Sequence, residues 1–168
     1  PGSNRTPCGV MTRVYRSPDS TKGLRVLLVG VGAYPDAKSQ RPGVPVLDDL
    51  TSVAPSIMTF ARRLLTAWRP TLAMQLLSVD ILLNDATRSG GAVWPGLGVA
   101  GEIAADTPID APTLDNLDRA LQDALAGGEQ DEGLLLFFCG HGFSRADRFF
   151  VLSDFGRGGD PWSRTVNL

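Results

Sequence analysis

Residues 134–144 read LLLFFCGHGFS, and this stretch decides the fold. The apolar run ending at Cys139 is far too short to cross a bilayer, and it has the length and character of a strand buried on both faces. It breaks at Gly140-His141-Gly142, which sets the chain's one histidine just past a strand end, between two glycines. An imidazole placed there suits general acid–base chemistry. The glycines let backbone and substrate approach closely, and they leave N–H groups free to meet a developing oxyanion. The plainer alternative is a histidine that merely fills a Gly-rich turn; its place at the end of a buried strand favours the catalytic reading.

The flanking pattern builds the rest of the domain. Leu24–Val31 (LRVLLVGV) is a second near-continuous apolar run, again a buried strand, and a loop rich in Pro, Gly and Asp follows it. Leu50, Val53, Ala54, Ile57, Phe60, Ala61, Leu64 and Leu65 recur at helical spacing, which predicts a helix over about 52–66 with Thr51 or Ser52 as N-cap and Pro55 in its first turn. LLSVDILLND carries another strand, about Val79–Leu83. Residues 88–112 are dense in Gly and Pro and read as a long surface excursion. Thr113 then caps a helix over about 114–126, whose apolar face is Leu114, Leu117, Leu121, Ala124 and Leu125, and Gly127-Gly128 stops it. RFFVLSDFG is a fourth strand or the return arm of a hairpin. Strands alternating with helices predict a three-layer α/β sandwich with a mostly parallel central sheet, in which sites sit outside the carboxyl ends of the strands. His141 falls at such an end.

A length of 168 residues suits one domain with a sizeable core. Apolar residues are 43%, charged residues 20% and the net charge is −2 with the basic residues scattered, so neither nucleic acid nor a membrane surface is an expected partner. Cys8 and Cys139 are not a disulfide framework, which favours a reducing compartment and a cytoplasmic location. One histidine and two distant cysteines do not supply metal-ligand spacing, and no cofactor is expected. Pro1-Gly2-Ser3 reads as an expression scar, and residues 1–23 as a whole as a flexible, polar tail ahead of a domain spanning 24–168.

The strand ending in CGHGF, the capped helix PTLDNLDRALQDAL before it and FFVLSDFG after it resemble the caspase-like cysteine peptidases, the superfamily of caspases, metacaspases and their bacterial relatives. RVLLVGVGAY, the loop RPGVPVLDDL and the helix to Leu65 fall in the order that family shows, so the likeness covers most of residues 24–160. It implies a caspase–haemoglobinase-like fold and an endopeptidase that attacks protein substrates with a cysteine thiolate through an acyl-enzyme. His141 would be the general base and acid, and Gly142 would donate its N–H to the oxyanion. The nucleophile of such enzymes follows the histidine by about 50 residues, whereas Leu168 lies only 27 residues past His141. The chain therefore reads as the N-terminal portion of the domain, inactive alone and completed by a C-terminal segment or a second chain. An apolar edge left after RFFVLSDFG calls for that completion, with GRGGDPWSRTVNL as a linker between segments. Cys139 is not read as the nucleophile, because a thiol in a buried strand end is inert.

In the loop before the first helix, the resemblance gives Arg41 a role in binding an acidic P1 side chain, while Asp48 beside Asp49 would suit a basic one. Their plainer roles are a solvated arginine and carboxylates favouring a helix N-terminus. Two other functions are carried as alternatives: a catalytically inactive caspase-like interaction or regulatory module, and a nucleotide-binding α/β domain. The latter rests on Gly30 and Gly32, but Pro stands at position 35 where a third glycine is needed and no helix starts there.

Overall fold

A computed structural model of the chain describes residues 12–38, 42, 45–126, 132–144, 147–158 and 160–168. Its centre is a four-stranded mixed sheet made of Thr12–Arg16 (β1), Leu24–Val31 (β2), Leu76–Asn84 (β3) and Gly133–Cys139 (β4), in the order β1-β3-β2-β4. β2 runs parallel to β3 and to β4, and β1 is antiparallel to β3. The apolar runs explain the centre. From Val26 onward every residue of β2 is buried, as is β3 from Leu76 to Leu83, because sheet neighbours and helices cover both of their faces.

Two cores lie on opposite faces of this sheet. On one, Val53–Arg63 (α1) lays Val53, Ala54, Ile57 and Ala61 against Val26, Leu28, Val79, Ile81 and Leu83. The helix continues through a wider, π-type turn over Leu64–Trp68, which buries Leu64 and Leu65. On the other face, Leu114–Leu125 (α2) lays Leu117 and Ala120 against Leu27, Val29, Val31 and Leu82. Thr113 caps α2 as its sequence predicts, its side chain accepting the Asn116 N–H at 3.3 Å. Ser52 does not cap α1 with its side chain; it is itself in helical conformation, and the preceding turn supplies the Leu50 carbonyl to the Val53 N–H at 3.2 Å.

The structure corrects the sequence reading in four places. The tail read as flexible contains β1, held because Val14 and Tyr15 are wholly buried and Arg13 pairs with the buried Asp80 at 2.9 Å. Residues 88–112 are no mere surface excursion, since Ala92, Trp94 and Ile109 enter the core and the segment bonds to β1 through Arg16 N–H to Gly101 and Ile103 N–H to Val14. The stretch read as a linker forms a short turn at Pro161–Arg164 and a strand, Thr165–Asn167 (β7), tied down by Trp162 packing edge-on against Phe143 and Phe155. β7 is one edge of a small antiparallel sheet with Gly142–Ser144 (β5) and Arg148–Val151 (β6), ordered β5-β6-β7, so RFFVLSDFG is the return arm of a hairpin. Finally, β4 is not buried on both faces. It is an edge strand, with Leu135 and Leu136 39% and 40% exposed, because nothing among the described residues pairs with its outer side. No described helix is long and apolar enough to cross a membrane.

Candidate functional site

Four segments converge at the carboxyl ends of β2, β3 and β4. Asn84, the last residue of β3, binds the turn after β2: its Oδ1 accepts the N–H groups of Gly32 (2.8 Å) and Ala33 (3.2 Å), and its amide donates to the Ala33 carbonyl at 2.7 Å. The 45–50 segment is tied to that turn by the Leu50 N–H, which donates to Gly32 at 2.7 Å. Asp49 adds a second tie, one oxygen accepting the Tyr34 N–H at 3.2 Å and the other the Lys38 ammonium at 2.5 Å. The Lys38 bond, ahead of the Tyr34 N–H, holds the Asp49 carboxyl below its ordinary range.

His141 stands between this frame and the hairpin β5–β6. Its Nε2 lies 3.0 Å from the backbone carbonyl of Asp48. A carbonyl oxygen only accepts, so Nε2 carries the proton and Nδ1 is left as the basic nitrogen. The backbone of His141 is held on both sides: its N–H donates to the Tyr34 hydroxyl at 2.8 Å, and its carbonyl accepts from Val151 at 3.0 Å. The Tyr34 ring also packs on the imidazole, centroids 5.1 Å apart and tilted by 46°. Burial pushes the Tyr34 phenol up to about 12, so it stays protonated and serves as donor and acceptor together.

Both glycines around His141 have a structural cause. A Cβ on Gly140 would meet the Tyr34 hydroxyl at 2.9 Å and the Phe150 ring at 3.1 Å, so a side chain there would push the tyrosine away. Gly142 opens β5 opposite Phe150. The His141 carbonyl accepts from Val151 across the hairpin, and a trans peptide aims the next N–H the opposite way. The Gly142 N–H therefore points out of the hairpin, as an oxyanion donor must.

Of the residues singled out from sequence, His141, Gly142 and Asp48 come together, Asp48 through its backbone while its side chain is exposed. Arg41 lies outside the described residues. Cys139 ends β4 half-buried on the α1 side, and burial pushes its thiol up, away from the thiolate form. Sequence reasoning missed Tyr34, Asn84 and the Asp49–Lys38 pair. The one available signal was a polar or aromatic residue where an apolar run ends, Asn84 directly after Leu83 and Tyr34 three residues past Val31. The glycines offered for phosphate binding are otherwise engaged. A Cβ on Gly30 would strike Leu83 at 2.6 Å and Ile57 at 2.7 Å, so Gly30 serves helix–sheet packing, and the Gly32 N–H is taken by Asn84. Among the described residues no group of three or more His, Cys, Asp or Glu is placed to hold a metal ion. Two of the larger clefts, of about 540 and 440 Å³, flank α1 along Pro55, and His141 lines neither. Comparison with known protein families, with characterised proteins and with solved structures returned no match, so the reading of this site rests on its geometry.

Proposed function

We propose that this chain is the histidine-bearing portion of a caspase-like cysteine endopeptidase of the cytoplasm, with protein substrates and no cofactor. The observation that carries the reading is the clamped imidazole: Nε2–H is spent on the Asp48 carbonyl, and among the described residues Nδ1 has no partner and the outer edge of the strand that leads to it is unpaired. A strand adding in parallel outside β4 would bring its own carboxyl end beside His141, and a cysteine there meets the requirement for a nucleophile within reach of an oriented base. In that arrangement Nδ1 takes the thiol proton as sulfur bonds to the scissile carbonyl carbon. The Gly142 N–H stabilises the oxyanion, and the imidazolium returns its proton to the leaving amine as the C–N bond breaks. Water then enters by the same route and releases the acid. The exposed carboxylate of Asp48, on the residue that holds the ring, suits a basic P1 side chain.

In the protein completed by its nucleophile-bearing segment, His141→Ala should lower peptide hydrolysis by roughly a thousandfold or more, with the circular dichroism spectrum unchanged. The open apolar edge of β4 also favours a second reading, a caspase-like module without activity that binds a partner strand. Turnover retained by His141→Ala would refute the peptidase mechanism; absence of turnover in the completed wild-type protein would favour the module.

A further inference from the structure

The β2–β4 ladder has a fixed phase. Leu24 stands opposite Gly133, and the Gly133 N–H donates to Gly23, one residue before its partner, at 3.2 Å. In a parallel ladder this makes every second residue of β4 the one that directs both backbone groups at β2, namely Gly133, Leu135, Phe137 and Cys139. The next residue in phase is His141, whose N–H would meet the carbonyl of Val31. That bond is not made. The His141 N–H instead donates to the Tyr34 hydroxyl at 2.8 Å, and the same hydroxyl donates to the Val31 carbonyl at 3.0 Å.

We infer that Tyr34 is a positioning residue for His141: its hydroxyl is inserted as one rung of the β2–β4 ladder and so holds the imidazole out against the Asp48 carbonyl. The inference rests on the proposed function for its catalytic consequence, but its structural content stands apart. A direct rung would set the His141 nitrogen about 2.9 Å from the Val31 oxygen, whereas two such bonds meeting at a hydroxyl open the gap to roughly 4–5.5 Å. The strands are splayed by about 2 Å at the point where the ring is carried. Three features keep the wedge in place. Tyr34 is wholly buried, its own N–H is held by Asp49, and Gly140 leaves the hydroxyl the space a Cβ would take.

His141 is the only histidine in the chain, so its ring can be read without assignment by ¹⁵N nuclear magnetic resonance. In the wild type the ring should be locked as the Nε2–H tautomer with a slowly exchanging proton. In Tyr34→Phe the lock should be lost and that proton should exchange at least tenfold faster. In the completed protein the same variant should lower kcat about a hundredfold with KM within twofold, as expected for a displacement of an angstrom or more. Tyr15→Phe is the control, because it removes a buried hydroxyl that has no hydrogen-bond partner among the described residues and lies in the other core cluster from Tyr34. Should Tyr34→Phe fail to fold, Gly140→Ala displaces the hydroxyl with the tyrosine retained. A wild-type ring without the Nε2–H tautomer, or a folded variant whose ring is unchanged, overturns the inference. A locked ring in a completed protein that cleaves nothing would leave the inference standing and remove the peptidase reading.

Discussion

Glu102 organises the segment that covers β1, and its replacement by glutamine tests whether that segment is a built part of the fold. Its carboxylate accepts the N–H groups of Leu97, Gly98 and Val99 and the indole N–H of Trp94, the last at 3.1 Å. Trp94 is 1% exposed, so its N–H has no water to turn to, and leaving it unpaired costs about 1–3 kcal/mol. The three backbone donors lie on a partly exposed turn and regain water, so each charge-assisted bond loses only about 0.5 kcal/mol net. A glutamine amide would also aim its own hydrogens at donors. Glu102→Gln should therefore destabilise by about 2.5–4.5 kcal/mol, lowering Tm by roughly 5–18 °C in a domain of this size. Partial burial works to raise this carboxyl, but the four hydrogen bonds outweigh it and hold it below its ordinary value of 4.5. A depressed carboxylate contributes stability that is present above the ordinary value and is lost as pH falls through the folded one. Thermal unfolding of the two proteins followed from pH 7 down to pH 3 should thus show curves that converge in acid. Equal Tm values at pH 7, or a gap that does not narrow with acidification, would refute the argument.

Two further outcomes follow from the site and its edge. Cys139 should be a poor nucleophile: in a Cys8→Ala background its alkylation at pH 7.5 should be slower than that of a free thiol, and Cys139→Ala should leave peptidase activity of the completed protein intact. Peptide hydrolysis by the isolated chain that Cys139→Ala abolishes would show the nucleophile to be misassigned. The isolated chain should also self-associate through β4, and Leu136→Lys, which puts a charge on the open edge, should raise the monomer fraction in sedimentation velocity at about 100 µM protein. A wild-type chain already monomeric at that concentration would count against an adhesive edge.

The elements legible in the sequence are those whose signal is local. Ile57 and Ala61 recur at helical spacing and bury on one face, Thr113 caps because a free hydroxyl precedes a helical run, and the apolar run of β2 is a central strand. The elements missed depend on distant chain. Thr12–Arg16 is too short and too polar to announce itself, and it is a strand only because β3 offers an edge and Asp80 a partner for Arg13. Trp94 lies in a Gly- and Pro-rich stretch that reads as loop, and what buries it is the side of β1, nearly 80 residues earlier, together with Glu102. At the site, His141 stood out as a lone imidazole after an apolar run, but the residues that fix it did not. Tyr34 lies 107 positions away, and Asp48 acts through a carbonyl that every residue type carries.

The burial of β4 depends most on what is absent from local sequence. Leu134 to Phe138 are as apolar as the wholly buried stretch of β2, yet they are half-exposed. An isolated domain selected to be soluble would not keep five such residues on a sheet edge, where unpaired backbone groups already invite association. Among the described residues the exposed large apolar side chains elsewhere, Val46, Leu125 and Leu168, stand singly, whereas Leu135 and Leu136 are adjacent on this strand with Met74 and Trp68, at 38% each, near it; the opposite edge strand β1 is covered by the 88–112 segment. Among the described residues one edge is covered and the other is not. The uncovered one ends at His141, so on the proposed function a strand added there would arrive beside Nδ1 of the imidazole. Completing the core and completing the site are on this reading a single event, which is why the added segment should restore stability and activity together.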